Sequence, residues 1–183
     1  MENEAAVQAA LRFFKTGLGK SAREAELTAR RQLLTQRISE RATDEYHDAQ
    51  RQRLPRLAQI QRMLAVTDAV ELNVRGALKA YSETSRGFAI AQGSIEDTGE
   101  SRADTRNLER EMRRDITDWI ETLLLMAYKP LTDREVEALI TFARTAEAKT
   151  MNQLLNATFD SVFSEIAFEI GIITGAGLAG DEI

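Results

Sequence analysis

At 183 residues, 43% apolar and 29% charged, the chain has room for one core that needs no staples and the composition of an ordinary globular domain. A net charge of −5 excludes the basic footprint of a nucleic-acid binder, and the lack of cysteine excludes disulfides, thiolate nucleophiles and thiolate metal sites. The opening Met1-Glu2-Asn3-Glu4 lacks signal-peptide form, and the most apolar stretch, Val162 to Leu178, carries Glu165 and Glu169 and is too short to span a bilayer.

The first helix is predicted from Asn3, burying Val7, Leu11 and Phe14 and stopping at Gly17 and Gly19. Ser21-Ala22-Arg23-Glu24 has capping-box form and opens a long helix through Leu34, Ile38, Ala42 and Ala49 to Leu54-Pro55. The residue before proline avoids the α region, so the chain bends there, and Pro55 opens the next helix with Leu57, Ile60 and Leu64. Thr67 or Asp68 caps a helix whose stripe is Val70, Val74, Leu78 and Tyr81, reaching towards Phe88. Residues 93–103 are polar and contain glycine, which predicts a flexible loop. Leu108, Met112, Ile116, Trp119, Leu123 and Ala127 then fall on one helical face, ended by Lys129-Pro130. Thr132-Asp133-Arg134-Glu135 is another capping box, and the last helix is expected to bury Met151, Leu155, Phe159, Val162, Ile166 and Ile170. A flexible glycine-rich tail is expected over 174–183.

Two of these regions match. Val7, Ala9, Phe13, Thr16 and Lys20 return at a constant offset as Val136, Ala138, Phe142, Thr145 and Lys149. Such a repeat marks a supersecondary unit whose apolar face needs cover. With no stretch of strict alternation, the fold class is all-α: one domain over 1–183, a bundle of about six or seven helices with two related helix-turn-helix hairpins. The repeat copies span about 3–50 and 132–173, and Phe13 and Phe142 are expected in like surroundings.

Phe13-Phe14-Lys15-Thr16-Gly17-Leu18-Gly19-Lys20 is similar to the aromatic-aromatic-x-Ser/Thr-x-x-Gly-x-Lys signature of the bacterial domain-of-unknown-function family numbered 2059. Thr132 to Leu139 resembles the Thr-x-x-Glu-Leu-x-Ala segment ahead of that signature, and Ser21–Leu34 and Asp68–Leu78 resemble the family's alphaproteobacterial branch. The second copy departs from the pattern with Ala143 for the second aromatic and Ala148 for the glycine, which predicts a more helical turn there. The resemblance implies an exported, periplasmic helical protein, with a cytoplasmic one as the alternative, and supplies no catalytic residues. The second copy follows a full amphipathic helix, Leu108 to Tyr128, and the first follows almost nothing. That contrast implies an N-terminally trimmed product whose uncovered face pairs with a second copy.

Gly175-Ala176-Gly177-Leu178-Ala179-Gly180 spells GxGxxG but lacks the preceding strand, the following helix and the distant acid, so no cofactor site is assigned. His47, with Glu40, Asp44 and Asp48, imitates half of a di-metal bundle site but has no second histidine, so it reads as a solvated face and no metal ligand is assigned. Arg30, Arg31, Arg37, Arg41, Arg51, Arg53, Arg56 and Arg62 form a basic run interrupted by acids, read as a salt-bridged surface. Phe13, Phe14, Phe142 and Trp119 are expected in the core. Asn156-Ala157-Thr158 is a sequon inside a helix and carries no weight. No catalytic residue is assigned. The expected function is a non-enzymatic protein-interaction or envelope-associated module with an unidentified protein partner, and no nucleic-acid binding or membrane insertion. The alternative is an enzyme or small-ligand binder with a carboxylate- and Arg-lined pocket between helices.

Overall fold

The computed structural model describes residues 2–93 and 102–180. They form eight α-helices: α1 (Glu2–Lys15), α2 (Gly17–Leu33), α3 (Gln36–Gln52), α4 (Pro55–Thr67), α5 (Ala69–Ala91), α6 (Arg102–Ala127), α7 (Asp133–Ala143) and α8 (Ala146–Gly180). The all-α class stands, with one helix more than expected because the stretch from Ser21 to Leu54 is not continuous. It breaks at Leu34 and Thr35, whose amides fold back on Arg31 and Gln32 and leave Thr35 extended at φ −89°, ψ 115°. No glycine or proline marks this break, and Leu34 stands 87% exposed on it. Nor does the Ser21 capping box form: α2 already begins at Gly17, and the Ser21 hydroxyl donates to the Gly17 carbonyl. At Leu54-Pro55 the expected bend is present, with Leu54 extended and Arg53 left-handed at φ 51°. The Thr132–Glu135 capping box forms in full, each partner bonding the other's backbone amide.

The two hairpins repeat in bond-by-bond detail. The Thr16 amide bonds Phe13 and the Lys20 amide bonds Thr16; likewise the Thr145 amide bonds Phe142 and the Lys149 amide bonds Thr145. Gly17 supplies a left-handed turn at φ 49°, and Gly19 lets α2 start against Phe13, since a Cβ there would lie 2.3 Å from the Phe13 carbonyl oxygen. Alanine in the second copy does not make that turn more helical. Two residues, Arg144 and Thr145, separate α7 from α8, against Thr16 alone between α1 and α2. The aromatic positions meet each other: Phe13 stacks on Phe142 with centroids 3.6 Å apart and planes at 10°, and Phe14 sits edge-on to both.

The chain divides into two compact units, residues 1–70 with 116–153 and residues 71–115 with 154–183. The first unit holds the main core. Ile60, Leu123, Val136 and Ile140 are its most deeply buried aliphatics, packed with Met63, Leu64, Leu139 and Tyr128. Side chains of this kind stabilise by about 1.5–3 kcal/mol each when fully buried. Arg56 and Arg62 of α4 clamp α7 through Asp133 and Glu137.

The second unit is built on small residues. Gly87 of α5 and Gly171 and Gly175 of α8 let two parallel helices touch backbone to backbone, a close approach that any side chain would block. Thr84 donates to the Ala167 carbonyl at 3.1 Å and Gln92 donates to that of Gly175 at 2.6 Å, so polar groups lock the seam. Val74 and Ala167 are its buried apolar side chains among the described residues. Most of the loop expected over 93–103 lies outside the described residues, though Arg102 already belongs to α6. The expected flexible tail is corrected over 174–180, which is helix, because Gly175 is part of the seam; residues 181–183 lie outside the described residues.

Candidate functional site

Two faces of α8 differ sharply. Gly171 and Gly175 look onto α5, and about 120° around the helix Leu155, Phe159, Val162, Phe163, Ile166, Ile170 and Ile173 recur every three or four residues. That second face is the one expected in the interior, and the structure places it in solvent. Phe159 is 51% exposed, Phe163 57% and Ile173 71%. The expectation fails because α5 needs only the glycine face of α8, and periodicity cannot say which of two apolar stripes finds a partner. Glu165 and Glu169 run along one edge of the stripe, and the opposite edge holds Asn156, Asp160 and Thr174.

The first unit contains a buried polar cluster that sequence reasoning missed. Tyr46 of α3 brings its hydroxyl to 2.8 Å from Asp118 Oδ1 and 2.9 Å from Glu121 Oε2, and Gln50 Nε2 donates to the same oxygen at 2.5 Å. A phenol has one hydrogen, so it donates to one carboxylate at a time, and the other contact needs a proton of its own. Burial, reinforced by the Asp118 charge, raises the Glu121 pKa, while hydrogen bonds from Tyr46 and Gln61 oppose the rise. A second buried pair lies nearby in sequence: Tyr128 donates to Glu26, whose pKa is raised mainly by burial. The first ties α6 to α3, and the second ties Tyr128, just past the end of α6, to α2. The only hint in the sequence is Tyr46 in a face otherwise made of alanines, Ala42 and Ala49.

The remaining candidates are dispersed. His47 Nδ1 lies 3.4 Å from Gln50 Oε1, Asp48 pairs with Arg51, and Glu40 accepts from Gln36. Among the described residues no three His, Asp or Glu side chains are grouped to hold a metal. Within the basic run, Arg41 pairs with Glu45 and Arg30 lies over the Trp119 ring, 5.1 Å from its centroid. Trp119, expected in the core, is 46% exposed; the buried side of α6 is Ile120, Leu123, Leu124 and Ala127, one residue round from the expected stripe. Phe13, Phe14 and Phe142 are partly buried in their own cluster. Among the described residues no helix is long and apolar enough to cross a membrane. No protein-family model matches the chain, and neither a curated protein nor a solved structure does.

Proposed function

We propose that this chain is a non-enzymatic interaction module that pairs with a second copy of itself through the apolar face of α8. The exposed stripe carries the proposal. With half-exposed side chains of this size offering on the order of 100 Å² each, its seven residues offer about 700 Å², close to the ~800 Å² per partner of a standard interface. The thin interior of the second unit points the same way, because such a unit gains most of its missing burial from a partner.

The test uses the absence of native cysteine. Wild-type protein is expected to be a dimer by light scattering, and Phe159→Arg a monomer of unchanged helicity. Phe159→Cys and Ile173→Cys are expected to cross-link, each to itself in a parallel pair or one to the other in an antiparallel pair. A monomeric wild type, or a dimeric Phe159→Arg, overturns the pairing.

We further propose that the protein works in the envelope, in the periplasm. Support comes from the resemblance of Phe13–Lys20 and Thr132–Leu139 to an exported family, and from a cysteine-free composition suited to an oxidising compartment. Fractionation of the native host is expected to recover the protein with periplasmic contents; recovery with the cytosol defeats the assignment.

A further inference from the structure

The first unit carries a surface groove of about 870 Å³, a volume in the range of small-molecule sites. Its floor is apolar, made of Ile38 and Ala42 of α3 with Met126 and Pro130 at the end of α6. Its rim is basic, with Arg37, Arg41 and Lys129. Glu45 is the single acid there; it accepts from Arg41 at 3.1 Å and from Lys129 at 3.3 Å. Among the described residues Arg37 has no hydrogen-bond or ion-pair partner, so two positive charges remain in excess on a chain of net charge −5.

The backbone adds to this field. Arg37 occupies the first turn of α3, where the helix dipole favours an acid, and that turn contains none. Thr35 makes no side-chain cap bond to it either. Just past the end of α6, Arg56 donates to the carbonyls of Tyr128 at 2.9 Å and Leu131 at 2.7 Å. An anionic group at the rim thus meets a net positive field, while anything attached to it lies along the apolar floor.

We propose that this groove binds an oxyanion carried on an aliphatic tail, a carboxylate or phosphate amphiphile. The site lies wholly within the first unit and does not depend on pairing through α8. Calorimetric titration of the full chain tests it, with octanoate and octyl phosphate as probes and octanol, inorganic phosphate and octyltrimethylammonium as controls. Octanoate or octyl phosphate is expected to bind at least about ten-fold more tightly than every control. Either order of the two anions supports the site and fixes its head group. Arg37→Ala and Lys129→Ala are each expected to weaken binding about ten-fold, while Arg51→Ala, whose side chain pairs with Asp48 away from the groove, leaves it unchanged. Circular dichroism at matching helicity separates loss of binding from loss of fold. Binding of octanol as tight as octanoate, of phosphate as tight as octyl phosphate, indifference to Arg37→Ala, or no binding by either anion overturns the proposal.

Discussion

Gly171→Leu is expected to unfold the second unit while sparing the first. A Cβ at Gly171 would lie 2.1 Å from the Thr84 carbonyl oxygen and 2.9 Å from the Phe88 amide nitrogen, both backbone atoms that cannot swing aside. Overpacking that side chains can relieve costs about 1–3 kcal/mol, and here the helices themselves have to part, so roughly 3 kcal/mol or more is expected. The seam also holds the Thr84 and Gln92 hydrogen bonds, which are lost together with the contact. Hydrogen exchange read by mass spectrometry locates the damage. Amides of α5 and of α8 beyond Leu154 are expected to lose protection, and those of α4 and α7 to keep it. A uniform pattern, or one unchanged from wild type, contradicts this account of the seam.

Tyr46→Phe is expected to destabilise the first unit by about 3 kcal/mol, because it removes a hydroxyl that serves two carboxylates and Gln50 at once. The loss is expected to grow with pH. In the wild type the Glu121 pKa is raised above its unfolded value by burial, so the stability linked to its protonated form is present in acid and lost as pH rises through the folded pKa. Glu26, raised mainly by burial, acts in the same sense. The Tyr46 hydrogen bond lowers the Glu121 pKa, so deleting it raises that pKa further and widens the window over which stability falls. Each added unit of pKa takes about 1.4 kcal/mol from the folded state above that window. Glu45 and Glu135 run the other way: their pKa values are lowered, Glu135 chiefly by the Thr132 amide, and their contribution is lost only as pH falls below the usual carboxylate range. Thermal unfolding of both proteins at about pH 5 and about pH 8 checks the sign; equal differences at the two values contradict it.

Periodicity and punctuation made much of the fold legible. Pro55 opens α4, the Thr132–Glu135 box opens α7, and Lys129-Pro130 follows the end of α6. The 129-residue offset between the copies is borne out by matching turn bonds at Thr16 and Thr145. What failed to show has physical causes. The break at Leu34–Thr35 lacks glycine and proline and is made by backbone bonds alone. The Gly175–Gly180 run looked like a tail because glycine suits both a free end and a close helix crossing, and only the partner glycine on α5 distinguishes the two. For the same reason α8 offered two apolar faces with no sign of which one α5 takes. Trp119 was misplaced by a single step around α6, a rotation that heptad-like spacing tolerates. The Tyr46 cluster draws Asp118 and Glu121 from a helix more than 70 positions away, beyond the reach of any local pattern.

The face-to-face rings of Phe13 and Phe142 join the two copies as an isologous contact joins two subunits, each patch meeting its own equivalent within one chain. Shrinking either ring strips its twin of the facing partner, so the two positions are energetically coupled and their substitutions are not additive.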